Sequence, residues 1–132
     1  MRNILKNRNP VIIVLLLIIV FWTYSIISRQ YYLSEHNFTI CKVYEESVEN
    51  TSIFSKYKYV VDNKVFYNKI SVENTIENKF FKIKYSIKKP SICKFILSKQ
   101  ITDSVSIAKF NEDILRSKKL KVEAIRAKQL KK

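Results

Sequence analysis

The hydrophobic pattern of this chain starts with an apolar segment, Val11 to Phe21, of eleven consecutive strongly hydrophobic residues. Aliphatic and aromatic residues continue it to Ile27, and these seventeen residues span about 26 Å as a helix, close to the thickness of the hydrocarbon core of a bilayer. The pattern therefore predicts a single transmembrane helix. Trp22, Tyr24 and Arg29 are predicted to lie at the membrane interface, beside the lipid head groups.

A cleaved secretory signal is the alternative interpretation of this segment. Such a signal has a shorter apolar region, followed by small residues at the cleavage site. Bulky side chains follow Phe21 instead, among them Trp22, Tyr24 and Ile27, and no Ala-x-Ala pattern is present. The sequence favours an uncleaved signal anchor.

The charges on the two sides of the anchor bear on its orientation. Arg2, Lys6 and Arg8 precede it, whereas Arg29 and Lys42 are the basic residues within about twenty positions after it. Because basic residues are retained on the cytoplasmic side, we expect the N-terminus to be cytoplasmic and the rest of the chain periplasmic or extracellular. The basic C-terminal end favours the opposite orientation, so a cytoplasmic-facing domain stays an alternative.

Beyond the predicted anchor, the continuous run of apolar residues gives way to alternating apolar and polar residues. Residues 38–45 place apolar side chains on alternate positions and predict a strand, and the polar residues 45–55 predict a loop. Residues 56–70 contain two β-prone runs separated by Asp62 and Asn63, which tolerate the positive φ angles of a hairpin turn. Because the chain has no glycine, asparagine is expected wherever a left-handed residue is needed; the candidates are Asn50, Asn63, Asn74 and Asn78.

Two more alternating runs follow, residues 80–87 and 91–97. About five short strands joined by turns predict a mainly β fold, a small antiparallel meander, sandwich or barrel-like domain. From Asp103 the residues favour a helix with Thr102, Asp103 or Ser104 as its cap. One side of that helix is apolar, formed by Ile107, Phe110, Ile114, Val122 and Ile125.

The predicted organisation has three parts. Residues 1–30 form a cytoplasmic stub and the transmembrane anchor, residues 38–100 the small antiparallel β domain, and residues 103–132 a basic C-terminal helix or tail. A domain of this size is marginally stable by itself, so support is expected from the bilayer surface, a partner subunit or a cross-link.

The net charge of +14 is concentrated at the C-terminal end, where the last seventeen residues hold eight basic residues against Glu123 alone. Beside a bilayer, basic side chains attract anionic lipid head groups by roughly 1 kcal/mol each. We therefore expect lipid-head-group contacts from Arg116, Lys118, Lys119 and Lys121. A tethered chain meets lipid before nucleic acid, which is disfavoured as a partner. A coding bias towards Lys, Asn and Ile would also raise the charge without any ligand.

Two cysteines lie in the first and last predicted strands, Cys41 and Cys93. If those two strands pair, the thiols come within reach of a disulfide, which would stabilise the domain by roughly 4 kcal/mol. Such a bond would place the domain in an oxidising, external compartment. The alternative is that both are unpaired, buried thiols.

Residues for catalysis or metal binding are sparse. His36 is the single histidine, so a metal site is not expected, and no catalytic residue or cofactor is predicted. Glu45, Glu46 and Glu49 form an acidic cluster that is typical of a solvated loop, and a glycine-rich phosphate loop requires glycine. Aromatic residues interleaved with lysines in the strands could form a stacking platform, but alternating core and solvent faces explain them better.

Two motifs in the β region resemble a known family. They are Tyr57-x-Tyr-x-Val-Asp-Asn-Lys-x-Phe-Tyr67 and the stretch from Phe81 to Ser91 that ends in Lys-Lys-Pro-Ser. With them, Phe38 to Leu97 is similar to the small bacterial membrane proteins catalogued as domain of unknown function 3592. Asn63 stands where that family has glycine. The resemblance implies a β-rich domain tethered to a membrane, and it implies no activity. We expect that membrane to be the bacterial inner membrane.

These observations predict a single-pass, non-enzymatic interaction module or accessory subunit of an envelope complex, with an external β domain. Membrane lipids and a protein partner are expected, and no small-molecule substrate. The alternative function is a cytoplasmic-facing protein whose basic tail binds anionic lipid or nucleic acid. A small envelope enzyme is a third hypothesis, with a cysteine as its nucleophile.

Overall fold

A computed structural model describes residues 10–130 of the chain. The predicted order of an apolar N-terminal helix, a β domain and a C-terminal helix is confirmed within these residues. The basic stub at Arg2, Lys6 and Arg8 lies outside them, as do Lys131 and Lys132. The elements are α1 (Pro10–Ser34), β1 (His36–Glu49), β2 (Ser52–Val61), β3 (Lys64–Val72), β4 (Phe80–Ser86), β5 (Cys93–Ile101) and α2 (Ser104–Gln129).

The five strands form one antiparallel sheet in the order β3-β2-β1-β4-β5. Of the predicted arrangements, the barrel is not formed, because β3 and β5 are the two edges and are not hydrogen-bonded to each other. The sheet is nevertheless strongly curled. Tyr57 on β2 and Phe95 on β5 have ring centroids 4.9 Å apart, although two strands lie between them in the sheet.

The core lies on the concave face of this curled sheet. Every strand contributes to it through alternate side chains, which is the pattern expected of a sheet buried on one face. Tyr57, Tyr59 and Phe81 are part of the core, so these aromatic residues do not form a stacking platform. The core consists of Cys41, Val43, Tyr57, Tyr59, Val61, Val72, Ile76, Phe81, Ile83, Cys93 and Phe95.

Asparagine takes the left-handed positions at most of the predicted turns. Asp62 and Asn63 have φ angles of 49° and 60°, which confirms the predicted hairpin between β2 and β3. Asn50 and Asn78 also have positive φ angles, whereas Asn74 does not. The predicted loop over residues 45–55 is wrong, because β1 and β2 continue through it to a tight turn at Asn50 and Thr51.

Helix α2 packs on the convex face of the sheet. Its N-cap is Asp103, one of the predicted caps, whose Oδ2 accepts a hydrogen bond of 2.8 Å from the backbone N–H of Ser106. Phe110 and Ile114 of the predicted apolar side are buried, and Phe110 meets Phe80 edge to face at 5.6 Å. The C-terminal part of that side is not covered by the sheet. Val122 and Ile125 remain 48% and 49% exposed.

Candidate functional site

The end of the sheet that joins the anchor brings several segments together. Strand β1 starts at His36, directly after α1, and His36 pairs with Ser86 at the end of β4. Because Cys41 pairs with Tyr59, the turn between β2 and β3 also lies beside the start of β1. We call this the anchor end of the domain; it consists of residues 29–38, 61–65 and 86–93.

A set of polar contacts fastens α1 to the turn between β4 and β5. Nη2 of Arg29 donates to the backbone oxygen of Cys93 at 3.1 Å, and Nζ of Lys88 pairs with Oε1 of Glu35 at 3.0 Å. That hydrogen bond to Glu35 raises the pKa of Lys88. Lys88 and Lys89 also lie over the rings of Tyr31 and Tyr32, at 5.0 and 5.8 Å. We call these contacts the junction clamp.

The junction clamp fixes the orientation of the β domain relative to α1. Each exposed ion pair contributes little to stability, but several contacts on one helix end restrict how the domain can swing. Arg29, predicted to lie at the membrane interface, also takes part in the clamp. The sequence analysis missed Glu35 and Lys88, because 53 residues separate them and no local pattern marks long-range ion pairs.

Helix α1 has no residue buried against the rest of the domain. It is the one helix within residues 10–130 that is long and apolar enough to cross a membrane. The predicted interface residues Trp22 and Tyr24 are 71% and 70% exposed on it. An apolar helix of this kind must be covered by lipid or by other helices.

The C-terminal half of α2 is basic, and its residues Lys118 and Lys121 lie beside Asn63 and Lys64 of the β2–β3 hairpin. The predicted head-group residues Arg116, Lys118, Lys119 and Lys121 are all exposed. Apolar side chains alternate with them, and Leu120, for instance, is 44% exposed. A helix that combines basic and exposed apolar side chains suits the interface between water and a bilayer.

Between α2 and the β2–β3 hairpin lies a cleft of about 680 Å³. Four lysines line it: Lys58 and Lys64 from the hairpin, and Lys118 and Lys121 from α2. Burial and the nearby charges of Lys118 and Lys42 lower the pKa of Lys58. We call this the lysine cleft. The sequence analysis named Lys118 and Lys121 but missed Lys58 and Lys64, which only the folded structure brings beside them.

The condition for a disulfide, pairing of the first and last strands, is not met, because β4 lies between β1 and β5. Cys41 and Cys93 are free thiols in the core, 0% and 3% exposed. Burial raises the pKa of the Cys41 thiol. The Cys93 sulfur lies 3.2 Å from the Tyr57 hydroxyl and 3.4 Å from Nδ2 of Asn68.

These thiols are expected to resist alkylation while the domain is folded. Reaction requires an accessible thiolate, and burial both shields the Cys41 sulfur and keeps it protonated at pH 8. We expect no mass gain when the full chain in detergent micelles is treated with N-ethylmaleimide, and two adducts per chain after unfolding in urea. Adducts that appear in urea only after a reductant is added would instead demonstrate the disulfide.

The remaining candidate residues are held in structural contacts. His36 is exposed at the start of β1 and meets Phe38 edge to face. Glu45 pairs with Lys56, and Oε1 of Glu46 accepts hydrogen bonds from Ser55 Oγ and from the backbone N–H of Ile76. Among residues 10–130, no group of three His, Cys, Asp or Glu side chains is placed to hold a metal ion.

Comparison of the chain with protein-family models, with curated proteins and with solved structures gives no match. The resemblance to domain of unknown function 3592 therefore stays a prediction. The function has to be inferred from the anchor, the junction clamp and the basic surface of α2.

Proposed function

We propose that this protein is a single-pass, non-enzymatic interaction module, an accessory subunit of a bacterial envelope complex that presents its β domain outside the inner membrane. The junction clamp carries the proposal. An anchor that served only as a tether would need no fixed contacts with the domain, whereas a subunit that docks onto a membrane neighbour benefits from a fixed orientation.

The basic C-terminal half of α2 is a second observation that supports the same function. Lys118 and Lys121 lie beside Asn63 and Lys64 of the β2–β3 hairpin, and exposed apolar side chains accompany them, so α2 presents a surface suited to anionic lipid head groups. Two points of membrane contact, α1 and α2, would hold the domain more rigidly than one. The surface turned away from the membrane is then available to a partner.

A second candidate function is a cytoplasmic-facing protein that binds anionic lipid or nucleic acid through α2. The basic surface favours it, since positive charge next to a membrane is retained preferentially in the cytoplasm. The two candidates differ in the side of the membrane on which the domain stands, and a topology experiment separates them.

The test has two parts, both in the native host. A fluorescent reporter that matures only in the cytoplasm is fused after Lys132, and we expect cells to stay dark, while the same reporter before Met1 fluoresces. Fluorescence from the C-terminal fusion would overturn the external placement and favour the second candidate.

In the second part, the tagged full chain is captured in a gentle detergent together with its neighbours. A matched control ends at Ser34 and so retains α1 without the β domain. We expect a membrane protein to be recovered in a fixed ratio with the full chain and lost with the control. Recovery of the same proteins by both would contradict a role for the β domain in docking.

A further inference from the structure

The lysine cleft has the properties of a ligand site, because it is open at the surface and bounded by two separate elements. The hairpin forms one wall and α2 the other. Its volume of about 680 Å³ lies within the range of about 300–1,000 Å³ that is typical of small-molecule sites. It lies at the anchor end, beside Asn63 in the β2–β3 turn.

Positive charge in the cleft is not balanced by the protein. No carboxylate is among the lining residues. Within residues 10–130 the ion pairs use Lys56, Lys69 and Lys88, none of which lines the cleft. The lowered pKa of Lys58 agrees with this geometry, since it reflects burial and the repulsion from Lys118 and Lys42.

Contacts within the protein stabilise only one of the lysine charges in the cleft. The ammonium group of Lys58 lies 5.5 Å from the centroid of the Tyr44 ring, a cation–π contact that stabilises one charge. An aromatic ring carries no net charge, so Lys118 and Lys121 remain uncompensated opposite Lys58. An anion between them would remove the repulsion and form several charge-assisted hydrogen bonds.

The wall of the cleft is apolar next to these charges. Ile114 is buried at its base, and Tyr67 and Leu120 expose 66% and 44% of their surfaces at its sides. A small inorganic anion would leave this apolar surface in water. A ligand with an anionic head and a hydrocarbon part would cover both.

We propose that the lysine cleft binds one anionic phospholipid, with the phosphate between Lys58 and Lys118 and part of an acyl chain against Leu120 and Tyr67. Lys64 and Lys121 contribute charge at the rim. The inference rests on the proposed membrane placement, because a chain held in the bilayer by α1 is surrounded by phospholipid. It adds to the proposed function that one lipid molecule binds at a specific site, in addition to the lipids that surround α1.

The experiment measures lipid binding to the full chain in a neutral detergent by native mass spectrometry. Phosphatidylglycerol and phosphatidylcholine are compared as probes. We expect one phosphatidylglycerol molecule to bind more tightly than the other lipid molecules around α1. The double substitution Lys58→Gln, Lys118→Gln is expected to weaken that binding about tenfold or more. Phosphatidylcholine is expected to bind only at the weak level common to every variant.

Two matched variants control for charge and for folding. Lys94→Gln with Lys99→Gln removes the same charge from exposed positions on β5, outside the cleft and outside α2, and we expect unchanged phosphatidylglycerol binding. Lys58→Arg with Lys118→Arg keeps the charge and is expected to retain most of the affinity. In thermal unfolding, phosphatidylglycerol is expected to raise the Tm of the native chain and not that of the Lys58→Gln, Lys118→Gln variant.

Three outcomes would overturn the proposal: equal loss of binding in the two Gln variants, equal binding of phosphatidylcholine, and displacement of the lipid by inorganic phosphate or by a single-stranded oligonucleotide at low concentration. The measurement in detergent does not depend on membrane topology. Absence of lipid binding at the cleft would therefore not contradict the proposed function. A cytoplasmic C-terminus in the reporter experiment would not contradict lipid binding at the cleft.

Discussion

The Tyr59→Ala protein is expected to lose about 3–5 kcal/mol of unfolding free energy, a large part of the stability of a small domain. Tyr59 is completely buried in the concave core, where its ring stacks on Phe66 at a centroid distance of 5.4 Å. Its hydroxyl donates to the backbone oxygen of Pro90 at 2.7 Å. Truncation would leave a cavity and release the β4–β5 turn from β2.

Two further variants separate packing from hydrogen bonding. Tyr59→Phe keeps the ring and removes the bond to Pro90, so we expect a loss of about 1 kcal/mol. Tyr67→Ala removes a tyrosine from the neighbouring strand that is 66% exposed, and we expect a change of about 0.5 kcal/mol or less.

Stability is measured by urea titration of each full chain in detergent micelles, followed by the near-ultraviolet circular dichroism of the tyrosines. The expected order of destabilisation is Tyr59→Ala, then Tyr59→Phe, then Tyr67→Ala. If Tyr67→Ala were as destabilising as Tyr59→Ala, the core would not lie on the concave face.

Local chemistry explains which parts of the fold the sequence predicts. Asp62 and Asn63 separate two alternating runs, and a two-residue hairpin follows from their tolerance of positive φ angles. Asp103 lies directly before the residues that favour a helix, and it caps α2. The longer β1 and β2 strands were missed, because residues 45–55 are polar and their pairing depends on cross-strand partners such as Ser55 with Glu46.

Long-range geometry explains what the sequence does not predict. The alternation in β4 predicts its two faces, but it carries no information on the place of β4 in the sheet, between the strands that hold Cys41 and Cys93. The lysine cleft depends on the path of α2 across the convex face, which Phe110 and Ile114 set by packing. Lys58 and Lys118 are sixty residues apart, and no spacing rule connects them.

Replacing Leu17 and Ile18 together by arginine is expected to remove the chain from the membrane. Two arginines at the centre of the span cost about 5–7 kcal/mol on the insertion scale, and the two lost aliphatic residues add about 1 kcal/mol. The eleven-residue run from Val11 to Phe21 contributes only about −3 to −7 kcal/mol. The favourable free energy of insertion would therefore be largely cancelled.

Carbonate extraction of membranes followed by immunoblotting measures this result. The native chain and a Leu17→Ala, Ile18→Ala control are expected in the membrane pellet, and the double arginine variant in the soluble or aggregated fraction. A third variant, Thr23→Arg, places the charge near the C-terminal end of the apolar segment Val11 to Ile27, where its side chain can reach the interface, and is expected to stay in the pellet. Retention of the double arginine variant after extraction would contradict a spanning anchor.

The same variant also tests the proposed contact of α2 with the membrane. Without a functional α1, any residual binding to vesicles that contain phosphatidylglycerol must come from the domain itself. If α2 supplies it, binding is expected to be lost in high salt, since exposed charges are screened within a few ångströms under those conditions. Binding that survives high salt would indicate an apolar contact instead, through Leu120, Val122 and Ile125 on the uncovered part of α2.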